Sequence, residues 1–270
     1  MKNPIKWVII IVALIGAAAI VYYHWFREAP APQPQPQPVQ QPPAPVETKP
    51  VPETQPAPKI QYPVPETEKE KPLPTLGESD AAMREALEDL FGKRAFAKYF
   101  YLDEIIRRIV VTVDNLPRQK VSQRFIPVKP VAGRFRVTGE DENPVISPRN
   151  YSRYAPYVRS AEAVSVKKAV AVYVHFYPLF QQAYRDLGYP KGNFNDRLIE
   201  AIDNLLATPE VKGPVKLVQP GVLYQYADPN LEALSAGQKI MIRMGTENAN
   251  RIKVKLREYR SELTHVELKQ

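Results

Sequence analysis

Cysteine is absent from this 270-residue chain, and its absence removes several kinds of site at once. Without a thiol the chain has no disulfide, no cysteine nucleophile and no N-terminal cysteine that could carry a lipid anchor. Histidine is nearly as scarce, with three residues. A transition-metal centre needs clustered His or Cys ligands, so the sequence predicts neither a metal nor another cofactor.

Glycine and concentrated positive charge are also in short supply. The 11 glycines are scattered and form no phosphate-binding loop, and no Gly-x-Ser-x-Gly elbow is present. The net charge of +8 comes without dense Lys/Arg runs, zinc-ligand spacing or an RNA-binding aromatic motif. We therefore expect no nucleic-acid partner.

One long apolar run dominates the N-terminus. Trp7 to Phe26, WVIIIVALIGAAAIVYYHWF, holds twenty residues without Asp, Glu, Lys or Arg. At ~1.5 Å per residue, such a helix covers the ~30 Å hydrocarbon core of a bilayer. Its small residues lie in the middle of the run, whereas a cleaved signal peptide places them at its end. The run predicts a retained single-pass signal-anchor through which the protein contacts the membrane.

The charges on either side of this run suggest its orientation. Lys2 and Lys6 precede it, and Arg27 with Glu28 follows it. The positive-inside rule then places residues 1–6 in the cytoplasm and the rest of the chain, beyond the span at 7–26, on the far side. In a bacterium that side is the periplasm, which predicts an inner-membrane protein with a periplasmic domain.

A proline-rich stretch follows the apolar run. Sixteen of the 29 prolines fall between Glu28 and Leu76. Proline fixes φ and lacks an N–H donor, so residues 27–76 are expected to form a disordered, semi-stiff linker. A stalk or passive tether is a simpler interpretation than a specific Pro-rich ligand, because PxxP spacing arises by chance in such a tract.

The remainder predicts one mainly α-helical domain with small β-hairpins, residues 77–264, and a tail, residues 265–270. Helical apolar spacing marks GESDAAMREALEDLFG, LDEIIRRIVVTVDNLPR, SPRNYSRYAPYV and FNDRLIEAIDNLLATPE. Ser165 to Leu187 is apolar around most of its circumference, which predicts a central helix. A turn is expected at FAKYFY, a helix from Asp228 to about Met244, and a last helix from Thr246. GRFRVTGEDENPVIS and VKLVQPGVLYQYADP alternate around turn residues, as hairpins do.

Few residues are candidates for catalysis. His175 is the one histidine within the helical part of the domain, and a hydrogen-bonded structural role suits it better than catalysis. Asp196, Glu200 and Asp203 share one stripe of a helix, opposite its apolar face. Paired carboxylates can cleave glycans, but a solvated stripe explains this spacing more simply. The sequence thus identifies no catalytic residue.

A row of tyrosines and arginines is the candidate partner-binding face. On one continuous helix Tyr151, Tyr154 and Tyr157 would form a slanting row, with arginines interleaved. Tyrosine and arginine are enriched at recognition surfaces. The alternative is that the rings pack inward against the central helix. The residues of the candidate face are Arg149, Tyr151, Arg153, Tyr154, Tyr157 and Arg159.

Five segments together resemble a known family. They are TVDNLPR (112–118), ISPRNYSRYAPYV (146–158), YPLFQQAYRDLGYP (177–190), FNDRLIEAIDNLLATPEV (194–211) and LYQYADPNLEALSAGQKIMIRMGTENANRIKVKLRE (223–258). Over residues 75 to 264 the chain resembles proteobacterial single-pass membrane proteins that carry the uncharacterised domain of unknown function 3014. The resemblance implies an N-terminal anchor, a variable Pro-rich spacer and a bacterial envelope location. It implies no activity, cofactor or catalytic residue.

These observations favour a non-enzymatic module over an enzyme, although enzymatic activity stays open. The first hypothesis is a tethered envelope domain that binds or scaffolds a protein or an anionic cell-wall polymer. The alternative is an envelope enzyme that acts on cell-wall glycan or peptide through carboxylates. A cleft with two or more acidic groups would favour the enzyme, whereas a broad Tyr/Arg face would favour binding.

Overall fold

The computed structural model describes residues 59–64, 72–101, 103–140 and 142–265. The predicted anchor at Trp7–Phe26, the linker up to residue 58 and the tail from residue 266 lie outside these ranges. Within them, no helix is both long and apolar enough to cross a bilayer. The described residues belong to one compact unit that starts at Gln55. The expectation of a mainly helical domain with two small antiparallel hairpins is confirmed for this unit.

Helices occupy most of the described chain. Their bounds are α1 Asp80–Phe91, α2 Lys93–Tyr99, α3 Ile105–Asn115, α4 Pro148–Tyr151, α5 Ala155–Ala163, α6 Val166–Asp186, α7 Phe194–Leu206, α8 Pro229–Glu232, α9 Ala236–Arg243 and α10 Thr246–Thr264. Short 3₁₀ turns cover Leu76–Glu78 and Gln123–Phe125.

The central helix lies where the sequence predicts it. Ser165 caps α6 by accepting a hydrogen bond from the Lys168 N–H, and Pro178 is accommodated inside the helix. Phe176 and Phe180 are buried among α1, α2, α3 and α7, where they join the main hydrophobic cluster. On its other side α6 packs with α7 and α10 around a smaller cluster that contains Ile199 and Leu263.

Two hairpins form the small β part. Strand β1 (Val137–Thr138) pairs antiparallel with β2 (Val145–Ile146), and β3 (Leu217–Val218) pairs with β4 (Gln225–Tyr226). A bridge between Val145 and Lys216 joins the hairpins edge to edge. Their inner side covers a hydrophobic cluster of Ile146, Leu217, Tyr226 and Ile242. Both predicted hairpins are therefore present, and each is only two residue pairs long.

Several element boundaries differ from the predictions. FAKYFY was expected to be a turn, but most of it lies in α2, where fully buried Phe96 fixes the helix against the main cluster. α3 begins at Ile105, because the Asp80 carboxylate accepts the N–H groups of Glu104 and Ile105 from outside the helix. The predicted helix from Asp228 is broken after Ala233, since Ser235 forms a capping box with Gln238 and starts α9 anew.

The linker prediction also needs correction at its C-terminal end. Residues 59–64 were assigned to a disordered spacer, yet they lie against α7, and the chain bends at Gln61 and Tyr62. Leu76, the last residue of the predicted linker, is buried in the main cluster. The side chains that hold these residues are distant in sequence, so no local sequence pattern predicts the contacts.

Candidate functional site

The predicted tyrosine row is divided between two short helices. Tyr151 ends α4, Tyr154 precedes α5 and Tyr157 lies within α5. All three are half-buried, and burial raises the pKa of each phenol. The Tyr157 ring lies 4.6 Å from that of Tyr99, and its hydroxyl donates to the Pro130 carbonyl at 3.2 Å. These rings pack neighbouring segments together.

The arginines of the candidate face divide into one structural and two exposed residues. Arg153 donates to the carbonyl oxygens of Val131, Ala132 and Gly133 at 3.2, 3.1 and 2.6 Å. It also donates at 2.6 Å to Oδ1 of Asn150, which is fully buried. Arg149 and Arg159 are exposed. Arg153 therefore holds the 131–133 loop, and the other two are the residues of the face that stay accessible to a polymer.

Of the candidate catalytic residues, the three carboxylates have structural partners and the histidine is exposed to solvent. The Asp196 carboxylate accepts backbone N–H groups from the 59–64 segment, and Glu200 pairs with Arg197 at 2.6 Å. Asp203 pairs with Arg260 at 2.5 Å. His175 is exposed, with its ring edge-on to Phe176, and no hydrogen bond joins it to another described residue. The predicted hydrogen-bonded role of His175 is wrong, because its side chain points outward from the packed face of α6.

A buried charge network, which the sequence did not reveal, joins α3 to α7. Asp114 is 5% exposed and accepts from Arg118 Nη2 at 2.9 Å and from Arg197 Nε at 3.1 Å. The Tyr189 hydroxyl lies within 3.4 Å of the same carboxylate. Hydrogen bonding to Asp114 raises the pKa of Arg118. Each charge is paired, so the network fixes the helices and leaves no free acid or base.

A cavity of about 320 Å³ lies beside the junction of α9 and α10. Tyr151 forms one wall, and the 208–211 segment and the first turn of α10 form others. Lys253 reaches it from α10, but this residue is 8% exposed and its ammonium donates to the Thr208 carbonyl at 2.6 Å. No group of three potential metal ligands occurs in the ranges that the structure describes. The cavity thus has polar and apolar walls without a recognisable catalytic set.

Among the residues that the structure describes, the most exposed large apolar side chains lie at the tip of the second hairpin. Val222 is 91% and Leu223 is 77% exposed, and neighbouring Val218 is 44% exposed. The turn is fixed by a hydrogen bond from Gln219 Nε2 to the Val222 carbonyl at 3.2 Å. Below it, Tyr226 is buried and its hydroxyl donates to the Lys239 carbonyl at 2.9 Å. The hairpin therefore holds two apolar side chains in solvent on a well-anchored base.

A family model described as "Protein of unknown function (DUF3014)" matches residues 105–260, which is more than half of the chain. The chain belongs to this family. No curated protein and no solved structure matches it. The match begins with α3 and ends within α10, and it includes both hairpins.

The DUF3014 region contains the buried charge network and the exposed hairpin tip. The segments around Asp114, Tyr189 and Arg197 resemble the family in sequence, and in the fold they meet in the buried network. The LYQYADPN segment begins at Leu223, on the exposed hairpin tip. The sequence predicted that hairpin from its turn residues. The two adjacent apolar residues after Pro220-Gly221 were the available signal that its tip is a surface feature.

Proposed function

We propose that this DUF3014 protein is a non-enzymatic, membrane-tethered envelope module that binds a protein partner through the tip of its second hairpin. The observation that carries the proposal is the exposure of Val222 and Leu223 on a turn whose base is buried. Covering exposed apolar groups of this kind with a partner favours binding, by roughly 25 cal/mol for each Å² of apolar surface that is removed from water. A carbohydrate polymer offers little apolar surface for such a contact.

The tether in this proposal is supported by the sequence. The uncharged run Trp7–Phe26 has the length of a single membrane span, and Lys2 and Lys6 favour a cytoplasmic N-terminus. A proteobacterial inner membrane, with the domain in the periplasm, is the location that we propose. The proline-rich stretch then holds the domain away from the bilayer as a stalk.

Site-specific photocrosslinking in cells tests the proposal. A benzophenone amino acid replaces Val222 in one strain and Val254 in a control strain, since Val254 is a 53%-exposed valine on α10. Irradiation should give a discrete adduct from position 222 and none from 254. The substitution Leu223→Ser should weaken the adduct, because it removes the second apolar contact.

Other outcomes would assign a different partner or none. A smear that collapses after digestion of the cell wall, and that weakens in Arg149→Glu/Arg159→Glu, would replace the protein with an anionic polymer. Equal, diffuse labelling at positions 222 and 254 would contradict a binding role for the tip.

A further inference from the structure

Residues 59–64 make specific contacts with the first turn of α7. The backbone N–H groups of Gln61 and Tyr62 both donate to the Asp196 carboxylate, at 3.1 and 2.8 Å. The side-chain amide of Asn195 donates to the Tyr62 carbonyl at 2.9 Å. Two donors and one acceptor of the same short backbone are thus satisfied by adjacent side chains. The domain therefore holds the bend at Gln61–Tyr62 by its main chain.

The groups that hold this segment are themselves fixed by the fold. Asn195 is fully buried, and its Oδ1 accepts from the Tyr173 hydroxyl at 3.2 Å. The backbone N–H of Asp196 donates to the capping side chain of Asn193 at 3.1 Å. The carboxylate of Asp196 lies in the first turn of α7, where the helix dipole stabilises negative charge. Because these side chains are positioned by contacts with the domain, they are preorganised for the peptide.

Tyr62 supplies the side-chain part of the contact. It packs against the cluster that α6, α7 and α10 form around Val170, Ile199 and Leu263. The hydrogen bond from Arg260 to Asp203 is the main cause of the raised pKa of Arg260, and the Tyr62 hydroxyl makes a smaller contribution. The ring therefore has apolar walls and its hydroxyl has a cation nearby, an arrangement that suits tyrosine in particular.

Pro63 prepares the segment for this contact. A proline disfavours helical backbone at the preceding residue, so fewer conformations of Tyr62 compete with the docked one. Ile60 and Pro63 are exposed, whereas Tyr62 is half-buried. The recognition elements are thus the Gln61–Tyr62 backbone and the Tyr62 ring, followed by proline.

We propose that the start of α7, together with the adjoining faces of α6 and α10, is a recognition site for Tyr-Pro peptides. Its occupant is the chain's own Lys59–Val64 segment, bound in cis. The short connection from residue 64 to residue 72 gives this segment an effective concentration on the order of millimolar. The cis segment therefore excludes a free peptide of the same sequence until it is released.

The chain contains its own control for this specificity. Pro-Val-Pro-Glu-Thr occurs twice, at residues 50–54 and 63–67. The later copy is preceded by Ile60-Gln61-Tyr62, and the earlier copy by Glu47-Thr48-Lys49. If the site recognises Tyr-Pro, the hexapeptide KIQYPV (59–64) binds and the aligned hexapeptide VETKPV (46–51) does not. A site for proline-rich sequence in general would take both.

The test uses the full-length protein in nanodiscs and fluorescently labelled peptides. Ile60→Glu, Gln61→Thr and Tyr62→Lys together give the cis segment the residues of the earlier copy and vacate the site. This variant should bind KIQYPV saturably in fluorescence anisotropy, at least about tenfold more tightly than wild type, in which the cis segment competes. VETKPV should bind neither protein. Adding Asp196→Asn should weaken KIQYPV binding about tenfold, because a charge-assisted acceptor is lost.

A second measurement leaves the recognition residues intact. The chain has no cysteine, so Ile60→Cys introduces a single site for a spin label on an exposed side chain. The label should be restricted in otherwise wild-type protein and become mobile in Asp196→Asn. Excess KIQYPV should also release it, whereas VETKPV should not. Circular dichroism of each variant verifies that the domain stays folded.

Three results would overturn the inference. The first is failure of KIQYPV to bind the folded triple variant. The second is equal binding of VETKPV, and the third is a label at position 60 that is already mobile in the wild-type background. None of these results bears on the hairpin tip, so the proposed function would be judged separately by its own crosslinking experiment.

Discussion

At the scale of single residues, the buried polar side chains explain much of how this domain is held together. Asp114, Asn150 and Asn195 are each at most 5% exposed. Each bridges elements that are far apart in sequence: Asp114 binds Arg197, Asn150 binds the Arg243 carbonyl and Asn195 binds the Tyr62 carbonyl. A buried polar group without a partner would cost roughly 1–3 kcal/mol, so these bonds select one arrangement of the helices.

The neighbours Phe176 and His175 provide a matched pair of substitutions. Phe176 is 4% exposed in the main cluster, so Phe176→Ala should lower the free energy of unfolding by ~3–5 kcal/mol. His175 is exposed, and His175→Ala should lower it by less than about 0.5 kcal/mol. Urea unfolding of both variants measures the difference. Loss of cellular function in a fully folded His175→Ala protein would contradict a merely peripheral role for this histidine.

Tyr184 should make stability depend on pH in the alkaline range. Burial raises the pKa of its phenol from 10.0 to about 12, and the nearby Asp114 carboxylate adds to the shift. The unfolded chain therefore ionises at a lower pH than the native protein. The stabilisation is fully present below pH 10 and is lost as the pH rises towards 12, by about 2–3 kcal/mol.

The substitution Tyr184→Phe isolates this effect. It keeps the ring that stacks on Tyr189 at 4.6 Å but removes the titrating hydroxyl. Between pH 10 and 12, the free energy of unfolding of the wild type should fall by about 2–3 kcal/mol more than that of Tyr184→Phe. At pH 7 the unfolding free energies of the two proteins should differ by less than about 1 kcal/mol. Parallel urea midpoints across the alkaline range would contradict the assignment.

At the scale of secondary-structure elements, the sequence predicted those helices and hairpins that are determined by interactions between neighbouring residues. The central helix and both hairpins follow from apolar periodicity, a Ser165 cap and turn residues. The break between α8 and α9 was missed because Ser235 competes with the helix that its neighbours favour. The docking of residues 59–64 was missed for a different reason. Its acceptor, Asp196, is more than 130 residues away, and the sequence presents it as one member of a solvated stripe.

The candidate binding face shows the same limit. The spacing of Tyr151, Tyr154 and Tyr157 makes one row only if the helix is continuous, whereas Tyr154 lies between two helices. Arg153 looks like a surface charge in the sequence, but it is directed at three backbone carbonyls. Whether a residue type common at interfaces is free to act there depends on such contacts.

The junction of α9 and α10 should be intolerant of any side chain at Gly245. This residue has φ +85°, and an added Cβ would come within 2.7 Å of the Tyr151 ring. Gly213 offers a matched control, since it has φ +83° but open space around its Cα. Gly213→Ala should cost about 1–2 kcal/mol for the left-handed backbone alone. Gly245→Ala should cost about 1–3 kcal/mol more, because the ring must also move.

Thermal or urea unfolding compares the two glycine variants. The Tyr151→Ala background supplies a further check, because removing the ring should abolish the extra cost at Gly245 without affecting Gly213. Equal losses of unfolding free energy for the two variants in the wild-type background would show that the Tyr151 ring moves aside without a measurable cost in stability.

At the scale of the whole molecule, the docked segment changes the length of the proposed stalk. A spacer that ends at residue 76 would contain about 50 residues and reach at most about 150 Å from the bilayer, at ~3.1 Å per residue. If residues 59–64 stay bound to α7, the free stretch is 27–58 and the limit falls to about 100 Å. Release of this segment would extend the reach of the hairpin tip and expose the peptide site in one step.

The same picture depends on a retained anchor at Trp7–Phe26, which gives a prediction for the intact protein. Twenty uncharged residues should keep full-length protein in the membrane fraction through high-salt and alkaline washing, because no ion pair holds the span there. Protease added to spheroplasts should remove the domain and leave an N-terminal epitope tag protected, as Lys2 and Lys6 require under the positive-inside rule. A variant with Lys2→Glu and Lys6→Glu is the control, since it removes the charge bias and should lower the fraction of protein in this orientation.

Resistance of the domain to protease in intact spheroplasts, with cleavage only after lysis, would place the domain in the cytoplasm. The periplasmic partner proposed for the hairpin tip would then be ruled out, whereas the peptide site on α7 would not depend on the side of the membrane.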